Sequence, residues 1–176
     1  RHGATAEEAL TILLRDDPGA AQRQAGSVDA QGNAASWTGA ECFDWAGGRV
    51  GQAAGDPLAS GAGTVVTGTG FTAQGNILVS EATVQAMADA YLATDGDLGA
   101  KLVAAMRAGG AAGGDKRGEQ SAALLIVKEG AGYDGQDNYV DISVYDHPTP
   151  LAELDRLYRL NNLYFTDTEP ADQVEV

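Results

Sequence analysis

The stretch GGDKRGEQSAALLIV, residues 113–127, runs from a glycine-rich segment through two adjacent cations into an apolar run. Glycine adopts backbone conformations that other residues avoid, so the first part predicts a sharp turn. Six consecutive apolar residues, 122–127, are typical of a strand that is covered on both faces. The stretch therefore predicts a buried strand entered from a tight loop that carries Lys116 and Arg117.

On the C-terminal side of this strand, the sequence predicts a second strand and a closing helix. In YVDISVY, residues 139–145, apolar side chains alternate with Asp141 and Ser143, which indicates a strand with one wetter face. Proline is favoured in the first turn of a helix, so Thr149-Pro150 marks the start of the closing helix. That helix carries four large side chains: Leu151, Leu154, Leu157 and Tyr158.

On the N-terminal side, the sequence predicts a short strand and two helices. Residues 76–79 form the short apolar strand. Ser80 and Asp97 each precede apolar residues spaced three and four apart, and both residue types are favoured at the N-cap of a helix. The second of these helices ends in the glycine-rich segment AGGAAGG, residues 108–114.

The first part of the chain predicts a helix, a hairpin and a long loop region. Thr5 followed by Glu8 forms a capping box ahead of a leucine-rich stripe. Residues 23–38 contain two extended segments around a Gln-Gly-Asn turn, which predicts a β-hairpin. Residues 39–70 are rich in glycine and alanine and predict a loop region with one strand at residues 64–67.

The order of these elements predicts the fold class. Helix, hairpin, loop, strand, two helices, two strands and helix together indicate an α+β fold, with an antiparallel or mixed sheet core and helices outside. A chain of 176 residues is long enough to bury one core. We therefore expect a single domain over residues 1–165, followed by an acidic, frayed tail over residues 166–176.

Composition excludes several classes of partner. The chain has 25 acidic and 11 basic residues, so it carries no positive surface with which to bind nucleic acid or anionic membranes. One cysteine excludes an intrachain disulfide and indicates a reducing, cytoplasmic compartment. Two histidines and one cysteine are too few for the usual zinc shell. We expect neither a metal nor another cofactor.

Six segments, taken in order, resemble one protein family. They are AEEAL, RQAGSVDAQGNAASWTG, CFDWAGG, AQGNIL, GGDKRGEQSAALLIV and DISVYDHPTPLAELDRLY, and they extend to Tyr158. The family they resemble is the bacterial and archaeal domain of unknown function 1028 family, in the N-terminal-nucleophile hydrolase superfamily with proteasome subunits and γ-glutamyltransferases. The resemblance implies a four-layer αββα sandwich, in which two antiparallel sheets lie between helical layers.

Two departures from the family pattern bear on function. Relatives carry an opening pair of strands that begins with a Ser or Thr, ahead of the helix that starts here near Thr5, and those strands are missing from this sequence. Enzymes of the superfamily attack with the side chain of their first residue and use its own α-amine as the base. Arg1 has no such group, so either the nucleophile lies outside this chain or the protein is not this kind of enzyme. Residues 53–68 resemble an insertion, either a lid or a surface excursion.

The adjacent cations and their neighbours allow two interpretations. In the functional one, the glycine-rich turn brings Lys116 and Arg117 to the rim of a cleft between the sheets. Arg117 then binds a substrate carboxylate, and Lys116 lowers the pKa of a nearby amine. In the other, the cations pair with Asp115 or Glu119 on the surface, where ion pairs contribute little. The resemblance favours the first interpretation without excluding the second.

Four polar residues beside the predicted strands are further candidates. Gln74 and Asn76 flank Gly75, and their amides either donate to an oxyanion or substrate, or bind local backbone in a turn. Gln120 and Ser121 open the apolar strand and either point into the same cleft or serve as ordinary residues at a strand start. Together with Asp115, Lys116 and Arg117 they form the predicted substrate-binding set.

Cys42 allows a weaker catalytic hypothesis. It could act as a nucleophile with His147 as base and Asp146 as the group that orients the base. The sequence gives no spacing that would bring these residues together. A lone cysteine beside Phe43 is more often a small core residue, which is the interpretation that we favour.

The resemblance and the residues together lead to one leading expectation and one alternative. The leading expectation is an amide-bond hydrolase of the N-terminal-nucleophile type that acts on a small-molecule or peptide amide. The alternative is a non-catalytic binding or assembly protein of the same fold. Open sheet edges favour self-association, so a homo-oligomer is expected.

Overall fold

The computed structural model describes residues 3–51 and 63–165. Residues 53–62 of the predicted insertion and the predicted tail over residues 166–176 lie outside the described residues. The described elements are, in order, α1 Ala6–Arg15, β1 Gln24–Val28, β2 Asn33–Thr38, β3 Gly47–Val50, β4 Val65–Thr69, β5 Thr72–Gly75, α2 Ala82–Ala93, α3 Leu98–Ala111, β6 Ala122–Val127, β7 Asn138–Val144 and α4 Pro150–Phe165. The fold is α+β, with four helices and small antiparallel sheets among these residues.

The first helix and the hairpin form as the sequence predicts. The backbone N–H of Glu8 donates to the Thr5 hydroxyl oxygen at 3.2 Å, and the Glu8 carboxylate accepts the N–H of Thr5 at 2.9 Å. These two bonds satisfy donors that the first turn of a helix leaves free. β1 and β2 pair antiparallel with Gln24 opposite Thr38, and β4 adds to the other edge of β2.

Two small sheets stack in the first half of the chain. α1 packs against the β1-β2-β4 sheet, the β3-β5 sheet packs against β1 and β2, and α2 packs against β3 and β5. Small residues allow this close stacking: a Cβ added at Gly26 would lie 2.4 Å from the Thr72 hydroxyl oxygen, and one at Gly48 would lie 2.7 Å from that of Ser36. The sequence prediction missed β3 because a strand rich in glycine shows no apolar alternation.

The second half of the chain surrounds a separate core. β6 and β7 form an antiparallel hairpin, and α3 and α4 pack against it. Asp97 caps α3 as predicted, since its carboxylate accepts the N–H of Ala100 at 2.8 Å and also the Tyr158 hydroxyl. Seven buried side chains form this core: Val103, Leu124, Ile126, Val140, Val144, Leu154 and Tyr158.

The prediction that β6 is covered on both faces is wrong for the described residues. Leu124 and Ile126 are buried, whereas Leu125 and Val127 are 59% and 64% exposed. The reason is that α3 and α4 pack against the side of the hairpin that carries the buried core, and the other side faces solvent in the described residues.

The strand predicted at residues 76–79 lies earlier in the chain. β5 ends at Gly75, and Ile77 has a φ of 60°, which is outside the range of a strand for a β-branched residue. Leu78 then makes an isolated bridge to Asp115. Ser80 contributes its backbone carbonyl, which accepts the N–H of Thr83, so α2 begins without the side-chain cap that the sequence predicted.

Candidate functional site

A cavity of about 660 Å³ opens between α2, the C-terminal end of α3, residues 113–121 and the start of α4. We call residues 113–121 the glycine loop and this space the loop cavity. Its lining combines polar and charged groups with large apolar side chains and glycines. The lining residues are Gln74, Leu78, Thr83, Met87, Met106, Gly109, Gly110, Gly114, Asp115, Arg117, Gly118, Glu119, Gln120, Ser121 and Leu151.

Glycine positions the loop at the end of α3. Gly113 and Gly114 have φ values of 121° and 56°, a region in which side chains other than glycine are strained. Their N–H groups donate to the carbonyls of the last helical turn, with Gly114 N–H reaching the Gly109 oxygen at 3.1 Å. The N–H of Lys116 donates to the Ile77 carbonyl at 2.8 Å, which fixes the loop against the segment after β5.

Asp115 and Arg117 form an ion pair at the cavity. The guanidinium donates through Nε to one carboxylate oxygen at 2.9 Å and through Nη2 to the other at 2.6 Å. The side-chain hydrogen bond from Arg117, with the N–H of the same residue, lowers the pKa of Asp115 to about 2. The structure therefore contains the surface ion pair with Asp115 that was one of the two interpretations of the adjacent cations. The Arg117 side chain is 70% exposed, and both residues of the pair line the loop cavity.

Lys116 lies outside the cavity lining. Its ammonium group donates to the backbone carbonyl of Asp44 at 2.9 Å, and its nitrogen lies 3.9 Å from the Asp44 carboxylate. The side chain therefore ties the glycine loop to the segment before β3. The two adjacent cations thus contact different partners, and both lie in the turn that the N–H of Gly118 closes by donating to the Asp115 carbonyl at 3.0 Å.

The four polar candidates divide between the cavity and the sheets. Gln74 lines the cavity and accepts a hydrogen bond from the Ser36 hydroxyl at 3.0 Å. Asn76 is not a lining residue, and its amide lies 3.5 Å from that of Gln24, between the stacked sheets. Gln120 lines the cavity and donates to Asp146 at 3.0 Å, and the exposed Ser121 lines it beside Gln120.

Several lining residues were not predicted from the sequence. Met87, Met106 and Leu151 supply apolar wall, and periodicity alone identifies such residues only as helix core. Thr83 is 2% exposed, and its hydroxyl has no hydrogen-bond partner among the described residues. The sequence could not predict that the Thr83 hydroxyl lacks a partner, because the surroundings of a buried side chain are decided by the tertiary structure.

The structure shows no contact between Cys42 and His147 that would support the catalytic hypothesis for Cys42. The Cys42 thiol donates to the Arg23 carbonyl at 3.4 Å, and His147 Nδ1 accepts the N–H of Thr149 at 3.1 Å. Neither residue lines the loop cavity. Within residues 3–51 and 63–165, no group of three His, Cys, Asp or Glu side chains is arranged to hold a metal ion. In the same ranges, no helix is both long and apolar enough to cross a membrane.

Comparison with known proteins identifies the family. The model for the Family of unknown function (DUF1028) matches residues 1–61 and 54–154. This chain belongs to the DUF1028 family. A search of curated proteins found no match.

A solved DUF1028 structure shares the fold. The crystal structure of protein SPO2555 from Silicibacter pomeroyi, described as DUF1028, matches with a TM-score of 0.69 and 29% sequence identity. The match covers 92% of this chain and 60% of that one. Five of the six DUF1028 segments that the sequence suggested, including the glycine loop, lie within the ranges that the family model matches, and the sixth, residues 141–158, extends four residues beyond them.

Proposed function

We propose that this chain forms the substrate-binding part of an amide-bond hydrolase of the N-terminal-nucleophile type. The observation that carries the proposal is the loop cavity, which is lined by the glycine loop, a segment within the match to the family model. A small-molecule or peptide amide would occupy this cavity. Its volume lies within the range of about 300–1,000 Å³ that is typical of ligand sites.

The four-layer αββα arrangement is part of this proposal. The succession of α1, the β1-β2-β4 sheet, the β3-β5 sheet and α2 supports it. In such a fold the substrate site lies where the sheets and their connecting loops meet. Gln74, from the β3-β5 sheet, lines the loop cavity together with the glycine loop.

The attacking group is expected from a residue outside this chain. The lining includes the hydroxyls of Thr83 and Ser121, but among the described residues neither hydroxyl is hydrogen-bonded to a group that could act as its base. A serine or threonine hydroxyl needs a nearby base to become a nucleophile. An N-terminal residue supplies both groups at once, which is why this mechanism suits a cavity whose lining binds and orients the substrate.

The proposal is tested on the native gene product. Intact mass and N-terminal sequencing are expected to find a Ser, Thr or Cys at a processed N-terminus. An amide-like electrophile is expected to label that residue. If a correctly processed protein has no such residue, the hydrolase proposal fails.

A matched pair of variants tests the role of the cavity. Ser121→Trp places an indole in the cavity lining, whereas Ser143→Trp places the same side chain on an exposed position of β7. We expect Ser121→Trp to slow labelling at least tenfold, because substrate placement alone contributes strongly to such rates. Ser143→Trp should label at the wild-type rate. Equal labelling of both variants would show that the reaction takes place elsewhere.

The alternative function is a non-catalytic binding or assembly protein. The exposed apolar side chains Leu125 and Val127 on β6 favour it, since an apolar strand face of this kind often contacts another chain. On this alternative a second copy of the chain covers the face. Light scattering would then report a homo-oligomer that Leu125→Asp dissociates, and a native protein that the electrophile does not label.

A further inference from the structure

In the described part of the chain, three charged residues line the loop cavity, and one of the three has no oppositely charged partner there. Arg117 is occupied by Asp115 through two hydrogen bonds. Glu119 makes no ion pair with any described residue. The charge balance of the lining is therefore one cation against two anions, and the unpaired charge is negative.

The position of Glu119 gives its carboxylate a defined place in the wall. A Cβ added at Gly110 would lie 2.5 Å from Glu119 Oε1, and one added at Gly114 would lie 2.8 Å from the same oxygen. The carboxylate thus lies against two glycines at the end of α3, in space that a larger residue would fill. Glu119 is otherwise exposed, so its carboxylate is accessible to a ligand.

The end of α3 adds to the negative potential. Backbone dipoles sum along a helix and leave partial negative charge at its C-terminus, where cations are stabilised. Gly109 and Gly110 belong to the last turn of α3 and line the cavity beside Glu119. Glu119 and the helix end therefore both favour a positive ligand group.

A second observation concerns the Thr83 side chain, which belongs to the same lining. The Thr83 hydroxyl is buried and has no hydrogen-bond partner among the residues that the structure describes, and burial of an unpaired hydroxyl is costly. Leu78, Met87 and Met106 provide apolar surface in the same lining. A ligand with a polar group and an aliphatic or aromatic body fits both features.

We infer that the loop cavity selects ligands that carry a primary ammonium group on an apolar body, and that Glu119 binds the ammonium group. This inference rests on the proposed function, since it takes the loop cavity as the substrate site. It also replaces the expectation that Arg117 binds a substrate carboxylate. Asp115 already neutralises the charge of Arg117, and a ligand carboxylate would also lie near the charge of Glu119.

The test compares three probes of similar size: n-hexylamine, n-hexanol and hexanoate. Each is titrated into the full chain at 0.15 M NaCl, and binding is followed by NMR shifts of the glycine-loop amides. We expect hexylamine to bind about tenfold more tightly than hexanol, and hexanoate to bind most weakly. Glu119→Gln should remove the advantage of the amine. Glu129→Gln, an exposed glutamate outside the lining, should keep it.

The probe comparison on the unaltered protein does not depend on how any variant folds. If hexanoate binds as tightly as hexylamine, the inference is wrong while the cavity remains a ligand site. An equal loss in Glu119→Gln and Glu129→Gln would show general attraction to an acidic protein, which also overturns it. If no probe shifts the glycine-loop amides, both the inference and the proposed cavity fail.

Discussion

At the scale of single residues, Thr83 is the side chain whose replacement should stabilise the protein. Valine has nearly the same shape and helix propensity as threonine but no hydroxyl to leave unpaired. Because an unpartnered buried hydroxyl costs roughly 1–3 kcal/mol, we expect Thr83→Val to raise the free energy of unfolding by about 1 kcal/mol. Urea denaturation of the ligand-free protein measures this change.

Thr38 is the matched control for Thr83. It is equally buried, but its hydroxyl accepts a hydrogen bond from the Gln24 amide at 3.1 Å. Thr38→Val should therefore lower the free energy of unfolding by about 1 kcal/mol. If both variants are destabilised to the same extent, the Thr83 hydroxyl already has a hydrogen-bond partner within the protein and is not left free for a ligand.

Asp115 is the residue at which the site responds to pH. Its pKa falls from 3.8 to about 2 because Arg117 and the N–H of residue 117 donate to its carboxylate. A lowered pKa in the folded state means that the ionised group stabilises the fold above pH 3.8, and that this contribution is lost as the pH falls toward 2. Wild type should therefore exceed Asp115→Asn in stability at pH 6.

The measurement is chemical denaturation of both proteins between pH 6 and pH 3. The advantage of wild type should narrow steadily below about pH 4. Asp95→Asn, in the exposed connection between α2 and α3, controls for the loss of one negative charge. An advantage that stays constant down to pH 3 would contradict the ion-pair geometry at the cavity.

At the scale of the elements, β6 offers two adjacent leucines in opposite environments. Leu124 is 6% exposed and belongs to the core, whereas Leu125 is 59% exposed. Leu124→Ala should lower the free energy of unfolding by about 2–5 kcal/mol, and Leu125→Ala should change it by less than about 0.5 kcal/mol. Thermal and urea unfolding of both variants provides the comparison. A large effect of Leu125→Ala in the native protein would mean that another chain segment covers this face.

The elements also show where sequence patterns succeed. The capping box at Thr5 and the N-cap at Asp97 form as predicted, because a cap depends on hydrogen bonds within four residues. The strand predicted at residues 76–79 failed because Ile77 adopts a positive φ that apolar character does not reveal. β3 was missed because it contains glycines, which give no strand pattern in the sequence. The structure shows that a larger residue at Gly48 would collide with the neighbouring sheet.

At the scale of the whole molecule, net charge should make stability depend on salt. The formal charge is −14, and self-repulsion of like charges destabilises a compact state. Raising NaCl from 0.01 to 0.1 M shortens the screening distance from about 30 to about 10 Å. We expect the unfolding temperature to rise by roughly 2–4 °C at pH 7, which corresponds to about 1 kcal/mol.

The isoelectric point supplies the control. Near pH 4.2 the net charge is close to zero, so the same change in salt should have a much smaller effect. Differential scanning calorimetry at both pH values tests this. A fall in unfolding temperature with salt at pH 7 would show that attractive ion pairs outweigh self-repulsion, although every ion pair among the described residues has at least one exposed partner.

The loop cavity is formed by elements that lie far apart in the sequence, so it is a property of the whole molecule. Its wall combines Gln74 of β5, Thr83 of α2, Met106 of α3, the glycine loop and Leu151 of α4. The sequence identified Gln74, Asp115, Arg117, Gln120 and Ser121 as candidates, and all five line the cavity. It also named Lys116 and Asn76, which contact other partners, because neighbours along the chain need not face the same space.

The sequence by itself determined the α+β class, the helix caps at Thr5 and Asp97, the β1-β2 hairpin and the membership suggested by the glycine-loop motif. Each of these depends on local hydrogen bonds, residue periodicity or a contiguous motif, which a linear pattern records. The tertiary structure alone decided which face of β6 is buried, that Arg117 is held by Asp115, and that Glu119 has no ion-pair partner and Thr83 no hydrogen-bond partner within residues 3–51 and 63–165. Those properties depend on contacts between residues distant in the chain, or on the direction in which a loop turns its side chains, and neither is written in the spacing of residues.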